Sequence, residues 1–379
     1  MSGSVRHLYV HLPFCAHRCG YCDFVTVVGR EQQHRRYVDG LLAELELERG
    51  LLAERIDTVF LGGGTPTFTA TAELERLLGA LPTAGEVTVE ANPETVTPEL
   101  ARLLREAGAN RVSLGAQSFQ PDLLRVLERR ASPEAVRSAF YHLRDANFDN
   151  ISLDLLHGIP GQSTASLEHD IAEALALGPE HVSYYELEAK PGTRFAHAHG
   201  AELERQAEAM EGYFDVVVER LIEAGYRWYE TANFCLTPDR SGGRDLRARH
   251  NLAYWVGREY LGLGIGAVST VGDERRRNTP RLRAYIEALA RGEAPEREVE
   301  PLDEATRARE RVMLGLRLDE GLPFATAESS VDASALGRLE RLGLATLRPD
   351  ADGPGTLVLT PRRRRLGGAV TVELLAIPA

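Results

Sequence analysis

Three of the four cysteines in this chain of 379 residues lie within eight consecutive positions. Cys15, Cys19 and Cys22 have the spacing Cys-x3-Cys-x2-Cys. Three thiolates on one short loop can bind three irons of a [4Fe–4S] cube. The fourth iron then has no protein ligand, so a small molecule can bind there. The spacing therefore predicts an iron–sulfur cluster with one open coordination site.

Two other uses of these cysteines remain open on spacing alone. A structural zinc site needs four protein ligands, and the fourth would have to be His11, His17 or the distant Cys235. The thiols could also be inert. Disulfides are not expected, because Met1 to Tyr9 carry no apolar run of the signal-peptide type and cytosolic cysteines stay reduced.

Short apolar runs alternate with helical patterns along the first half of the chain, which predicts βα units and a parallel sheet. Loops that follow parallel strands share one face of a barrel, so the glycine-rich and polar loops after these strands should converge on one mouth. The predicted strands are 8–12, 58–61, 86–89, 111–114, 150–155 and 181–187, and the predicted helices are 34–54, 71–80, 97–107, 132–146 and 163–177.

Several residues at the ends of these strands are candidates for ligand binding. Gly62, Gly63 and Gly64, followed by Thr65, let a backbone approach a ligand closely, although a tight turn would explain them equally well. Asp154 lies inside an apolar strand, where a carboxylate is costly unless it is paired or bound to a ligand. The weaker candidates are Glu90, Gln117 and Arg129; taken alone, Glu90 and Arg129 are better explained as solvated surface charges.

His250 lies close to Tyr254 and Trp255. A histidine among aromatic side chains suits a flat, apolar, metal-bearing ligand such as heme. The alternative is a structural histidine in a packed aromatic cluster, and the residues alone favour it. Cys235 has no cysteine near it in sequence, which is typical of an ordinary thiol.

Composition limits the function class. The net charge of −12 argues against general binding to nucleic acid. No apolar run reaches about 18 residues, the length that predicts a membrane span, and we expect a cytoplasmic protein. A charged, proline-flanked stretch near 292–301 predicts a domain boundary, with residues 1–295 before it. Residues 300–379 should form a small domain of three helices followed by a wing-like strand at 356–360.

Together these residues resemble the radical S-adenosylmethionine (SAM) superfamily, and within it the oxygen-independent coproporphyrinogen III oxidase-like family. The match covers the cysteine loop, Gly62 to Thr67, Glu90 to Pro93, Gly115 to Phe119, and Asp154 with Gly158 to Gly161. The resemblance implies an α/β fold, an incomplete parallel (βα)6 TIM-like barrel, with a C-terminal mainly helical, winged-helix-like domain. It also implies that SAM is bound by Glu90, Gln117, Arg129 and Asp154, with Tyr9 beside the pocket.

Two features are similar to the heme chaperone (HemW) branch of this family. The decarboxylating oxidases carry a fourth cysteine two positions after the third, where this chain has Phe24, and the pattern His250-Asn251-x-x-Tyr254-Trp255 also resembles the chaperones. The resemblance implies a protein that binds heme, with His250 as the contact. It also implies delivery to a respiratory hemoprotein at the membrane, peripheral contact with that membrane, and a homodimer.

Two enzymatic alternatives remain open at this point: radical decarboxylation of coproporphyrinogen III, and SAM-dependent methyl transfer. Whether SAM is cleaved is equally open. The chain also departs from the chaperone pattern at two positions, because Ala131 and Val268 stand where a histidine is usual. If either histidine handles heme in relatives, this chain must do so differently.

Overall fold

Six parallel strands follow one another in sequence order in the central sheet of the computed structural model, which describes residues 3–188, 190, 193–350, 353–360, 364 and 367–375. Each strand pairs with the next in parallel. They are β1 (His7–Leu12), β2 (Ile56–Gly63), β3 (Ala84–Ala91), β4 (Arg111–Gln117), β5 (Ile151–His157) and β6 (His181–Glu186). This arrangement confirms the predicted incomplete (βα)6 barrel.

Helices cross over between these strands: α1 (His34–Glu48), α2 (Thr71–Ala80), α3 (Pro98–Glu106), α4 (Pro121–Val126), α5 (Pro133–Asp145) and α6 (Thr164–Leu177). Thr97 and Ser132 begin α3 and α5, and each side-chain oxygen accepts from a backbone N–H three residues on. Such caps satisfy an N–H that has no partner inside the helix. Both predicted helix starts are therefore confirmed.

Three further strands extend this sheet beyond the six that the sequence predicts: β7 (Tyr226–Glu230), β8 (Asn233–Leu236) and β9 (Leu261–Leu263). The antiparallel strands β8 and β7 continue it beyond β6, and β9 pairs in parallel with β1 at the other edge. The helices here are α7 (Arg194–Glu223), α8 (Pro238–Ser241) and α9 (Arg249–Trp255). No helix among the described residues is long and apolar enough to cross a membrane.

A small antiparallel sheet packs beside the barrel. It contains β10 (Val268–Val271), β11 (Glu274–Asn278) and β12 (Arg297–Pro301), with α10 (Leu282–Ala290) between the last two. Glu44 of α1 is fully buried and accepts hydrogen bonds from Gly264 N (2.8 Å), Tyr285 Oη (2.6 Å) and Asn278 Nδ2 (2.7 Å). Its carboxylate therefore ties this sheet to the barrel.

The C-terminal domain combines α11 (Glu304–Gly315), α12 (Ala333–Arg341) and α13 (Gly367–Leu374) with β13 (Leu322–Pro323), β14 (Ala345–Asp350) and β15 (Gly353–Leu359). The predicted winged-helix-like character is confirmed, but the predicted order of elements is wrong. The wing is a hairpin of β14 and β15, and α13 follows it. The polar sequence of β14 gives no strand pattern, so pairing with the apolar β15 determines its structure.

Ion pairs and one buried arginine join this domain to the barrel. Arg227 pairs with Asp319 at 2.7 Å, and Arg317 pairs with the buried Glu230 at 2.6 Å. Arg364 is buried, lies over the Trp228 ring and donates to its carbonyl at 2.8 Å. Strand β12 extends the small sheet to residue 301. It therefore lies across the short interval between residues 1–295 and 300–379, the two domains predicted from the sequence.

Candidate functional site

The three clustered cysteines lie on the loop that leaves β1 at the carboxyl edge of the sheet. Phe14 and Cys15 pair in parallel with Val27 and Val28, which closes the loop at its base. Cys22 N donates to Cys19 O at 3.2 Å, so these two cysteines share a turn. Burial raises the pKa of the Cys15 thiol to about 11. A metal that binds there must displace the proton.

The Gly62-Gly63-Gly64 segment ends β2 directly against this loop. A Cβ on Gly64 would lie 2.5 Å from the Pro13 carbonyl carbon and 3.0 Å from Cys15 Sγ. Gly63 has φ +112°, and a Cβ there would lie 2.4 Å from the His11 ring. No side chain fits at either position. The backbone of this glycine segment can therefore approach the cluster loop closely.

Two partly buried carboxylates follow on the next strands. Glu90 Oε2 accepts from Gly63 N at 3.0 Å, and Asp154 accepts from Ser113 Oγ at 2.9 Å and from Ser152 Oγ at 3.3 Å. Burial and the nearby charge of Asp154 raise the pKa of Glu90 to about 7, and burial also raises the pKa of Asp154. Glu90 can therefore be neutral near neutral pH, and it can both donate and accept hydrogen bonds in that form.

Arg129 is held between the cluster loop and the sheet. Its Nη2 donates to Asn92 Oδ1 at 2.9 Å and to Gly115 O at 2.8 Å, and its Nη1 lies 3.7 Å from Cys19 Sγ. Its buried Nε has no hydrogen-bond partner. Gln117 ends β4 with φ +66°, a left-handed conformation that is uncommon outside glycine. A guanidinium fixed beside the cluster loop is suited to an anionic ligand.

These groups line one cavity of about 440 Å³, which we call the cluster cavity. Ten of the thirteen predicted site residues line it: Cys15, Cys19, Cys22, Gly63, Gly64, Thr65, Glu90, Gln117, Arg129 and Asp154. The predicted residues outside this lining are Gly62, Tyr9 and His250. Gly62 lies behind it, where a Cβ would meet Glu90 at 2.9 Å, and Tyr9 lines an adjoining space of about 230 Å³.

His250 is buried inside the barrel and does not line the cluster cavity. Its Nδ1 is 2.7 Å from Thr58 Oγ1, its Nε2 is 2.8 Å from Tyr254 Oη, and its ring stacks on Phe60 with centroids 5.1 Å apart. Burial lowers the pKa of His250 to about 3, so the ring is neutral. Both ring nitrogens are engaged in this conformation, which matches the structural alternative. Contact between His250 and heme stays a prediction.

A second, larger cavity of about 730 Å³ adjoins the first, and we call it the arginine-bordered cavity. Asp23 and Phe24 of the cluster loop line both cavities. Aromatic and aliphatic side chains form much of the wall, including Tyr254, Trp255, Val268, Met313 and Leu314. Its lining includes only two carboxylates, Asp23 and Glu310, but five arginines: Arg258, Arg275, Arg277, Arg307 and Arg311. Its volume lies within the range of about 300–1,000 Å³ typical of small-molecule sites.

Helix α11 of the C-terminal domain supplies part of this second wall. Trp255 and Arg307 line the cavity, and each has a buried N–H without a hydrogen-bond partner, Trp255 Nε1 and Arg307 Nε. Buried donors without partners are rare in proteins. Because neither nitrogen is exposed, the wall that a ligand would meet consists of the apolar side chains and the bordering arginines.

The cluster cavity fits a cluster with SAM better than a single metal ion. Within the described part of the chain, no group of three or more His, Cys, Asp and Glu side chains is placed to hold one metal ion. In a cube each thiolate binds a different iron, which needs a wider spacing. The remaining space is lined by Arg129 and two carboxylates, which are complementary to the carboxylate, amino and hydroxyl groups of SAM.

Comparison with known proteins decides the family. The radical SAM superfamily model matches residues 9–174, and the HemN C-terminal domain model matches residues 302–362. The heme chaperone HemW of Mycobacterium tuberculosis is 36% identical over 390 aligned positions, which cover 99% of this chain and 96% of the relative. This chain belongs to the HemW heme chaperone family. HemW of Bacillus subtilis is 33% identical over 84% of the chain and 85% of its own length.

The fold has a solved counterpart. The coproporphyrinogen III oxidase HemN of Escherichia coli, a radical SAM enzyme, superposes with a TM-score of 0.81 at 23% identity, covering 98% of this chain and 90% of that one. At this identity the likeness shows the fold alone. The radical SAM match supports a [4Fe–4S] cluster and SAM in this HemW family member.

Several groups that complete the two cavities could not be identified from the sequence. Asn92 links Arg129 to Thr65, since its Nδ2 donates to Thr65 Oγ1 at 3.0 Å. Asn92 was visible as part of the pattern Glu90 to Pro93, but its partners were not. Arg275 and Arg277 could have signalled the arginine-bordered cavity, because alternate residues of one strand share a face, but they stand in an unbroken run with Arg276.

Proposed function

We propose that this protein is a heme chaperone that holds a [4Fe–4S] cluster on Cys15, Cys19 and Cys22, with SAM beside it, and carries heme in the arginine-bordered cavity. The observation that supports it best is the cavity itself. It is large, mostly apolar and bordered by arginines, it adjoins the cluster loop, and the chain is a member of the HemW family. Heme is a flat apolar molecule with two carboxylates, so it matches that wall.

Roles for the residues around SAM follow from the cluster cavity. The backbone of Gly62 to Gly64 would receive the amino group, because no side chain intervenes. Arg129, which lines the cavity, would pair with the carboxylate. Glu90, Gln117 and Asp154 would bind the hydroxyl and base edges, with Tyr9 beside them. When bound, the cluster supplies an electron and an open iron to SAM.

His250 takes an indirect part in this proposal. It holds the Tyr254 hydroxyl at 2.8 Å, and Tyr254 lines the arginine-bordered cavity. The ring thus fixes one wall without contacting the cargo. Direct contact with heme would require both of its present hydrogen bonds to break, at a cost of about 1–3 kcal/mol for each buried group left unpaired.

The finer parts of the function are supported by family membership and by the resemblance described above. The acceptor would be a respiratory hemoprotein at the membrane. The chaperone would be cytoplasmic, in peripheral contact with that membrane. Cluster and SAM would promote a homodimer.

The test is a heme titration of the anaerobically reconstituted protein, followed by absorbance, beside an assay with coproporphyrinogen III and SAM. We expect saturable heme binding without decarboxylated or methylated product. Formation of either product, with 5′-deoxyadenosine or S-adenosylhomocysteine, would instead support one of the two enzymatic alternatives. No saturable heme binding by a protein with an intact cluster would refute the proposal.

A further inference from the structure

Two of the five arginines around the arginine-bordered cavity have guanidinium groups that no described residue occupies. Arg275 pairs with Glu310 at 2.7 Å, and Arg307 donates to the Gly272 carbonyl. In contrast, Arg258 and Arg277 make no side-chain hydrogen bond or ion pair within the described part of the chain. Both are free to bind an anion.

Their placement follows from the elements that carry them. Arg277 lies opposite Val268 in the β10–β11 pair, and Arg275 lies opposite Thr270. All four residues line the cavity, because alternate residues of a strand share a face. Arg276 lies between the two arginines on the other face and pairs with Glu274 at 2.9 Å. The strand thus directs two arginines to the cavity and one away from it.

Arg258 reaches the same cavity from a different wall. It follows the end of α9 after Gly257, which has φ +68°. Glu298 is the cross-strand neighbour of Arg277 but forms no ion pair with it in the structure described. Two unpaired cations therefore border one apolar space from two separate elements. That geometry suits a flat apolar ligand with two separate carboxylates.

The two unpaired arginines indicate how this cavity would recognise heme. This inference rests on the proposed function. We propose that Arg258 and Arg277 bind the two propionate carboxylates of heme, while its ring lies against the aromatic and aliphatic wall. Guanidinium–carboxylate pairs are strong and directional. They also position the ligand. Free propionates are then required for tight binding, and their orientation fixes the heme in the cavity.

The experiment titrates the reconstituted protein with hemin and with hemin dimethyl ester in the same detergent. The variants are Arg258→Gln, Arg277→Gln and the double variant, and Arg276→Gln is the matched control from the same strand. We expect each cavity variant to weaken hemin binding about tenfold, the size of a typical charged hydrogen bond. The ester should bind wild type as weakly as hemin binds the double variant, and Arg276→Gln should bind hemin like wild type.

Several outcomes would overturn this assignment. Unchanged hemin affinity in the double variant would do so, and so would ester binding as tight as that of the free acid. Either result, with wild-type heme binding intact, leaves the proposed chaperone function standing and removes only the role of these arginines. Absence of saturable heme binding to wild type would refute both. Cluster absorbance, measured in every variant, confirms that the fold is retained.

Discussion

Replacement of His250 by glutamine tests whether this ring is a buried neutral side chain. The structure surrounds it with Thr58, Tyr254 and Phe60 and lowers its pKa from an ordinary 6.5 to about 3. At pH 8 the His250→Gln variant should lose about 2–4 kcal/mol of unfolding free energy. That figure combines lost ring packing with imperfectly paired buried groups.

The sign of the pH dependence follows from the lowered pKa. Below pH 6.5 the unfolded chain binds a proton that the folded ring refuses, so His250 makes wild type less stable as pH falls. Between pH 8 and pH 5 this linkage lowers the unfolding free energy of wild type by about 2 kcal/mol. The figure follows from about 1.4 kcal/mol per pH unit between the ordinary pKa of 6.5 and pH 5. Glutamine does not titrate. The stability difference between wild type and variant should therefore shrink by about 2 kcal/mol over this range.

The assay is urea unfolding of the cluster-free protein at both pH values, followed by tryptophan fluorescence. Trp228 is replaced by phenylalanine in both proteins, which leaves Trp255, close to the mutated ring, as the probe. A stability difference that stays constant from pH 8 to pH 5 would refute the buried neutral assignment. In the heme complex, we expect the variant to keep the absorbance maximum of wild type. A shifted maximum would indicate that His250 binds the iron.

Three further outcomes are expected. Cys19→Ala should abolish the brown chromophore and lower the iron content, whereas Cys235→Ala should leave both unchanged, which iron analysis after reconstitution would check. Gly64→Ala should reduce cluster loading, because its Cβ has no room beside the cluster loop, while Gly79→Ala, with no atom within 4 Å, should load normally. Glu44→Ala should cost about 3–5 kcal/mol in thermal or urea unfolding, because Gly264 N and Tyr285 Oη lose their buried acceptor and Arg297 keeps only Glu48 as an ion-pair partner. A loss under 1 kcal/mol would contradict its linking role.

The barrel and the cluster cavity were predictable because both depend on strong local patterns. A strand buried on both faces is a short continuous apolar run, and the chain repeats this run six times with helices between. Parallel strands all direct their carboxyl ends to one edge. Residues as distant as Cys15 and Asp154 could therefore be assigned to one mouth without knowledge of any contact.

Hydrogen-bond partners inside that mouth could not be predicted, because they depend on register. Ser113 reaches Asp154 since the two lie on neighbouring strands whose pairing sets Gly115 beside Asp154. A shift of one residue would turn Ser113 to the opposite face. Serine in a strand carries no signal of its own. The same reason explains why Asn92, which bridges Thr65 and Arg129, was invisible as a partner.

For His250, residue type alone leaves two interpretations open, a heme contact and a structural histidine. A histidine beside aromatic side chains has the composition of a heme contact, and the structure shows that the same composition also fills the interior of a barrel. The two cases differ in whether the ring nitrogens already have hydrogen-bond partners within the protein. Thr58 and Tyr254 occupy both ring nitrogens, and Thr58 comes from a strand nearly two hundred residues away. Only the folded chain brings that hydroxyl to the ring.

The arginine-bordered cavity shows the opposite case, in which the sequence carried a signal that was not recognised. Arginine supplies nearly all basic residues of this chain, so runs of it carry little weight as a composition. The strand period carries more weight, because Arg275 and Arg277 must share one face while Arg276 takes the other. Acidic residues outnumber basic ones in the whole chain, 56 against 44, yet arginines outnumber carboxylates around this cavity. The chain as a whole is acidic, but this cavity has a local excess of cations, and strand geometry places two of them on one face. That arrangement is stronger evidence for an anionic ligand than the number of arginines in the chain.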